Sequence, residues 1–436
     1  MANKGKLALV LCGGGSLGAY EMGVWKLLRE LNIKPDIVTG TSIGALIGAM
    51  VVADDYDGAL HMWNTISAEK VMVDGLNFDE EMLKGGYLAK NDKKIMAFVK
   101  QYFKHKGVNI SPFREVVKNA INPAKVMQSD IDFGFVVCSF PDFQEIDLRK
   151  KDVREEELIP YLHASSACWP IFPVETVFGK KYVDGGYKNN LPIDFAIEMG
   201  ATEIIAVELD AIPKAQFSDL EDLPIVSHKM VPTWNTGSMM DFKQSSIQKN
   251  ITLGYLDAQK AFGLKDGFRY TFDKIDPKYE ALMDQVAEFF FLNVVKFNVR
   301  DFKSIDKLLR WRLDGKLTTR DYFYRAIELA AEEFDVDYHK TYNVFDFIIM
   351  LSKKLHTTRK SKELKNDLAK CEKHDFNVPF KSLLYYAYDR ALNDMSLKGL
   401  GKYVIKYPLL AVVLSLADTY QEFEQQVKEI REEKEM

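Results

Sequence analysis

Three short segments of the chain hold residue types that could carry out acyl transfer. The first is Gly40-Thr41-Ser42-Ile43-Gly44, a G-x-S-x-G pattern. It lies where a predicted strand meets a predicted helix. A sharp turn there would lift the Ser42 hydroxyl out of a sheet, with Gly40 and Gly44 relieving the crowding. The helix that follows would point its N-terminus at the site and favour negative charge. The second segment is Gly13-Gly14-Gly15-Ser16-Leu17-Gly18. Acyl transfer needs donors aimed at a developing oxyanion, and consecutive glycines leave backbone N–H groups free of side-chain cover. The third is Val183-Asp184-Gly185-Gly186, a carboxylate at a predicted strand end. Taken alone, it reads as an ordinary Asp-Gly turn.

The surrounding pattern supplies elements to position these groups. Lys6–Cys12 is a short apolar run ending in glycines, a buried strand. Met22, Trp25, Leu28 and Leu31 recur at helical spacing after it. Asp36–Gly40 reads as a second strand, and Ile43–Ala53, apolar nearly all round, as a buried helix. Strand, helix, strand, helix in this order predicts a three-layer α/β/α fold with a largely parallel central sheet. In such a sheet the glycine loop and the serine turn leave at the same strand ends and can face one another. Phe133–Ser139, Lys181–Asp184 and Glu203–Leu209 continue the strands. Tyr161–Ala167 and Ile193–Met199 continue the helices.

The expected organisation is a hydrolase domain over residues 1–210, with a helical insertion at about 54–130 that carries a loop at Gly85-Gly86. A loop-rich connecting region broken by Pro213, Pro224 and Pro232 follows over 211–275. A helical C-terminal region over 276–436 ends in a charged helical or disordered tail from Gln425. The apolar stretches Phe289-Phe290-Phe291 and Phe345–Leu351 read as bundle packing. Their functional alternative is a lid, an oligomer contact or a membrane surface.

Composition narrows the function. Lys and Arg number 58 against 63 Asp and Glu, a formal charge of −5. Nothing here points to nucleic acid, and a peripheral contact with a membrane would have to be local. The four cysteines stand far apart without metal-ligand spacing, which reads as a reduced, cytoplasmic setting. The apolar run at the N-terminus is too short for a signal peptide. No stretch reaches the roughly 18–20 apolar residues of a membrane span.

Two rival readings stay open on the residues alone. Gly13-x-Gly15-x-x-Gly18 also fits a dinucleotide fingerprint. That reading needs an acid at the end of the second strand, where Gly40-Thr41-Ser42 stands instead. A Ser–Asp–His hydrolase is the second rival, since His228, His339, His356 and His374 follow Asp184. His163 lies nearest the motifs. Cys12 reads as a core strand residue, and Ser165 and Ser166 as helix-ending residues. Trp169 and Phe172 either line an acyl pocket or pack.

Taken together, LVLCGGGSLGAYEMGVWKLL, GTSIGALIGAM, HASSACWPIFPV and VDGGYKNNLPI resemble the patatin-like phospholipase family, in its motif order, over about residues 6–210. The resemblance implies a serine lipid acyl hydrolase working through a Ser/Asp dyad, with Ser42 as nucleophile and Asp184 as base. It implies an oxyanion hole from the N–H groups of Gly13, Gly14, Gly15 and Ile43. It also implies a fatty-acyl ester of a phospholipid or related lipid as substrate, with no metal or organic cofactor. A scaffold that binds acyl chains without turnover is the non-enzyme alternative.

Overall fold

The computed structural model describes residues 5–73, 108–209, 225–297, 302–310, 316–357, 361–393 and 400–435. The expected loop at Gly85-Gly86, most of the central part of the insertion, Pro213, Pro224 and His105 lie outside these residues. The chain divides into two compact units, Met1–Phe262 and Gly263–Met436.

The first unit is built on a mixed sheet whose central strands are parallel. The strands are β1 (Leu7–Leu11), β2 (Ile37–Thr41), β3 (Asp132–Ser139), β4 (Glu145–Arg149), β5 (Glu175–Val177), β6 (Lys180–Asp184), β7 (Glu203–Val207) and β8 (Val226–Met230). Their order is β5-β6-β3-β2-β1-β7-β8, with β4 also paired to β3. From β3 through β8 along this path neighbouring strands run parallel, while β4, β5 and β6 are antiparallel to their partners. Continuous apolar runs such as LALVL belong in strands covered on both faces. Accordingly, Ala8 through Leu11 of β1 are buried.

Helix α1 (Ala19–Glu30) and helix α2 (Ile43–Val52) follow β1 and β2. Every residue of α2 is buried, as an all-round apolar helix requires. Burying each of its larger aliphatic side chains contributes roughly 1.5–3 kcal/mol. The helices Tyr56–Thr65, Ala68–Val71, Ser111–Ala120 and Pro123–Gln128 occupy the described parts of the expected insertion.

The region expected to be loop-rich contains β8 and an 18-residue helix, Gln244–Ala261, that packs on α1. Both lie in the first unit, whose boundary falls at Phe262. The contact escapes a periodicity reading because glycines make it. A Cβ on Gly254 would stand 1.9 Å from the Tyr20 carbonyl oxygen, and one on Gly23 2.1 Å from that of Ile251. Close backbone approach at these glycines, with Tyr20 Oη donating to Asp257 and Tyr255 Oη to Glu30, joins the two helices.

Among its described residues, the regular structure of the second unit is helical apart from a two-residue strand pair, Thr271–Phe272 with Thr341–Tyr342. Its last helix runs without a break from Pro408 to Glu435, so the charged tail is helical. Among the described residues, no helix is long and apolar enough to cross a membrane.

Candidate active site

Strand β3 sets the register of the site. Along one of its edges β2 pairs up to Thr41, opposite Val136. Strand β4 takes the other edge from Gly134 to Cys138. Strand β6 pairs with Val137 to Ser139, so it continues the edge where β2 stops and puts Asp184 opposite Val137. Ser42 follows Thr41 at once. Two residues 142 positions apart therefore meet at one rung, and Ser42 Oγ donates to Asp184 Oδ2 at 2.7 Å.

The serine sits in a turn with φ +55° and ψ −125°, a conformation that a non-glycine residue rarely adopts. The flanking glycines make the turn sterically feasible. A Cβ on Gly40 would lie 2.4 Å from Gly44 O, and one on Gly44 2.5 Å from Leu11 O. Helix α2 begins immediately, with Ala45 N–H donating to Ser42 O at 3.0 Å.

Asp184 is buried, and burial raises its pKa to about 6. Hydrogen bonds from Ser42 Oγ and the Gly186 N–H act in the opposite direction but are weaker. The Gly186 N–H reaches the second carboxylate oxygen at 2.8 Å. Desolvation thus makes this aspartate a stronger base than a free one, whose pKa is about 3.9.

The glycine loop behaves differently at each of its expected donors. Gly13 is a correction: its N–H donates to Asn190 O at 3.1 Å, so it is already used inside the fold. Among the described residues, no backbone acceptor takes the N–H groups of Gly14, Gly15 or Ile43. Gly15 and Ile43 line the same cavity as Ser42. Gly15 has φ +58°, and a Cβ there would lie 2.4 Å from Met239 O. Beneath the loop Glu21 is buried, and burial raises its pKa well above the ordinary range.

Three positioning residues were not read from the sequence. Ser165 Oγ accepts the Ser42 N–H at 3.0 Å and donates to Val136 O at 2.7 Å, pinning the serine turn to β3. Asn190 Nδ2 donates to Gly13 O at 3.0 Å while its own carbonyl accepts the Gly13 N–H. Met239 O accepts the Ser16 N–H at 2.9 Å. The run NNLPI after the aspartate carried a signal for Asn190. Nothing local marked Met239.

Next to the pair opens an apolar cavity of about 710 Å³, counting the space at its mouth. Leu46, Trp63, Phe113, Phe172, Met239 and Phe242 are among its walls. Phe172 is therefore a lining residue, whereas Trp169 is 38% exposed on the surface. His163 is buried, and desolvation, helped by the charge of Arg114, lowers its pKa to about 4. Its ring meets Phe113 edge-on, and its Nδ1 has no partner among the described residues. No group of metal-binding side chains occurs among the described residues.

Comparison with known proteins places these motifs in a lineage. Residues 9–197 match the patatin-like phospholipase family. Lysophospholipase NTE1 of Eremothecium gossypii is 25% identical over 268 residues, 58% of this chain and 15% of that protein. Patatin-like phospholipase domain-containing protein 7 of Rattus norvegicus is 25% identical over 221 residues, 50% of this chain and 14% of that one. This chain therefore spans only about one seventh of the length of these relatives. The crystal structure of VipD from Legionella pneumophila aligns with 95% of this chain and 90% of its own at 13% identity. Its TM-score of 0.40 is too low to argue from. Strands β2 to β6, with the serine turn and the aspartate they carry, fall within residues 9–197, the segment that matches the patatin-like phospholipase family.

Proposed function

We propose that this protein hydrolyses fatty-acyl esters of phospholipids or related lipids through an acyl-enzyme on Ser42. The observation that carries the reading is the 2.7 Å hydrogen bond from Ser42 Oγ to the buried Asp184 carboxylate, at the wall of an apolar cavity. Ser42 Oγ attacks the ester carbonyl carbon while Asp184 Oδ2 takes its proton. The N–H groups of Gly14, Gly15 and Ile43 hold the oxyanion, with the α2 N-terminus adding favourable potential. As the tetrahedral intermediate collapses, the ester C–O bond breaks and the departing alkoxide oxygen takes the proton from Asp184. Water then attacks the acyl carbonyl, gives its proton to Asp184, and Ser42 recovers a proton as the fatty acid leaves. The cavity accommodates the acyl chain.

A Ser–Asp–His triad has less support. Both Asp184 oxygens already accept hydrogen bonds, from Ser42 and Gly186, and no histidine among the described residues bonds to either member of the pair. The test uses a short-chain p-nitrophenyl ester and a fluorophosphonate probe. Ser42→Ala should lose both hydrolysis and labelling. Asp184→Asn should lose turnover by about 10⁴-fold, the scale on which a mispaired base fails elsewhere. His163→Ala should keep it. The wild-type rate should rise through pH 6 as Asp184 ionises. A Ser42→Ala variant as active as its parent refutes the reading, and binding of lipid without any turnover favours the scaffold.

A further inference from the structure

The antiparallel direction of β6 has a consequence outside the site. Traced backwards from Asp184, β6 runs past the C-terminal end of β3, where Phe140 N–H donates to Lys181 O. The β5–β6 turn, Phe178-Gly179, therefore projects beyond the sheet edge from which Ser42 and the glycine loop emerge. At roughly 3.3 Å per residue its tip stands about 20 Å from Asp184. Both turn residues have positive φ, +49° and +78°, a geometry that Asn-Gly satisfies readily and a phenylalanine does not. Phe178 is nevertheless 61% exposed, touched by the Arg154 guanidinium 5.5 Å from its ring centroid. Neither burial nor backbone preference accounts for an aromatic ring there.

The β3–β4 turn repeats the anomaly. Phe143 has φ +51° and packs on Phe140, Tyr187 and Trp169. Trp169 and Pro170 are exposed, yet their neighbours Cys168 and Ile171 line the apolar cavity. The aromatic patch is thus continuous with the cavity mouth. Around it stand Lys180, Lys181 and Lys188, all exposed and without an ion-pair partner among the described residues, with Asp142 on the β3–β4 turn and Glu145 at the start of β4 as neighbouring acids. The chain as a whole is acidic, at −5, so this basic cluster runs against its net charge.

We infer that this edge is an interfacial docking surface for an anionic lipid bilayer, with Phe178, Trp169 and Phe143 entering the headgroup region and Lys180, Lys181 and Lys188 meeting lipid phosphates. The indole of Trp169, apolar with one polar N–H, suits that depth, the two phenylalanines add apolar area, and lysines near a membrane surface add to the attraction. Continuity with the cavity gives an acyl chain a route that avoids water. The inference rests on the hydrolase reading for its purpose but not for its test.

The experiment uses the full chain carrying Ser42→Ala, so that bound lipid is not consumed, and vesicles of phosphatidylcholine with or without phosphatidylglycerol. The chain should float with the mixed vesicles and less with phosphatidylcholine alone, and added salt should weaken it. Phe178→Asn suits the turn and preserves the hairpin, yet should cut partitioning severalfold. Lys180→Glu with Lys181→Glu should cut it by about tenfold or more and abolish the preference for anionic vesicles. Brominated lipid should quench Trp169 fluorescence, a signal missing from Trp169→Phe. In the Ser42 background, the same hairpin variants should hydrolyse a water-soluble ester at the parental rate while losing activity on vesicle lipid. The inference is overturned if the chain ignores vesicles, or if the hairpin variants partition like the parent. Failure to hydrolyse any ester would defeat the enzymatic reading alone, because flotation is measured without turnover.

Discussion

At Asp184 burial and hydrogen bonding pull in opposite directions, and burial is the larger effect. The sign of the consequence follows from linkage. The folded-state pKa of about 6 lies above the unfolded value of about 3.9. Folding is therefore favoured most below pH 4, where the carboxyl is neutral in both states, and this contribution is lost as pH rises through 6. At neutral pH the ionised, desolvated carboxylate costs on the order of 2–3 kcal/mol, at 1.36 kcal/mol per pKa unit. Asn keeps the shape without the charge. Asp184→Asn should accordingly be more stable than wild type at pH 8 by up to that amount, with the gap closing towards pH 4, as urea melts at the two pH values will show. An equal or lower stability at pH 8 would mean that the carboxylate is not paying a desolvation cost. The trade is stability for basicity at the one position the proposed chemistry needs it.

Among the elements, β3 matters most, because it receives β2 and β6 on one edge in succession and β4 on the other. Ser165, at the end of helix Glu155–Ser165, ties that strand to the serine turn. Ser165→Ala leaves the Ser42 N–H without its acceptor, at a cost of roughly 1–3 kcal/mol. It should lower kcat by about tenfold with little change in KM, since the substrate cavity is untouched while the attacking hydroxyl loses its alignment. A shift confined to KM would contradict that role. How much of this was legible in the sequence follows from range. Strands β1 and β2, helix α2 and the turn between them were readable because apolar runs and glycines within a few residues encode them. Ser42 and Asp184 were singled out by local motifs. Their meeting depends on register against β3, which no local pattern records. The clamps from Ser165, Asn190 and Met239 act across 123, 177 and more than 220 positions, beyond any periodicity window. Gly13 was misassigned as a donor for the same reason, since its acceptor, Asn190, comes from a distant turn. Helix Gln244–Ala261 went unread because its docking depends on close backbone approach at Gly23 and Gly254, which lie far apart in the chain.

Across the whole molecule, each of the two units has its own interior. In the second, Arg325 and Glu328 form a fully buried ion pair, and Glu328 Oε1 also accepts the N–H groups of Phe268, Arg269 and Tyr270. Removing one partner of such a pair strands the other charge, typically at 3–5 kcal/mol. Glu328→Ala should therefore lower the calorimetric transition of the second unit and leave that of the first in place; a single transition moving as a block would show that the units unfold together. The first unit carries a different consequence, set by the Ser16 N–H bond to Met239 O. Ser42 and the glycine loop precede Asp184, the clamps and this closing carbonyl along the chain. On the proposed reading, a growing chain carries Ser42 with nothing to activate it until the segment through Met239 has been synthesised and folded. If the proposed hydrolysis holds, chain order itself delays its onset until the protein can hold its own shape.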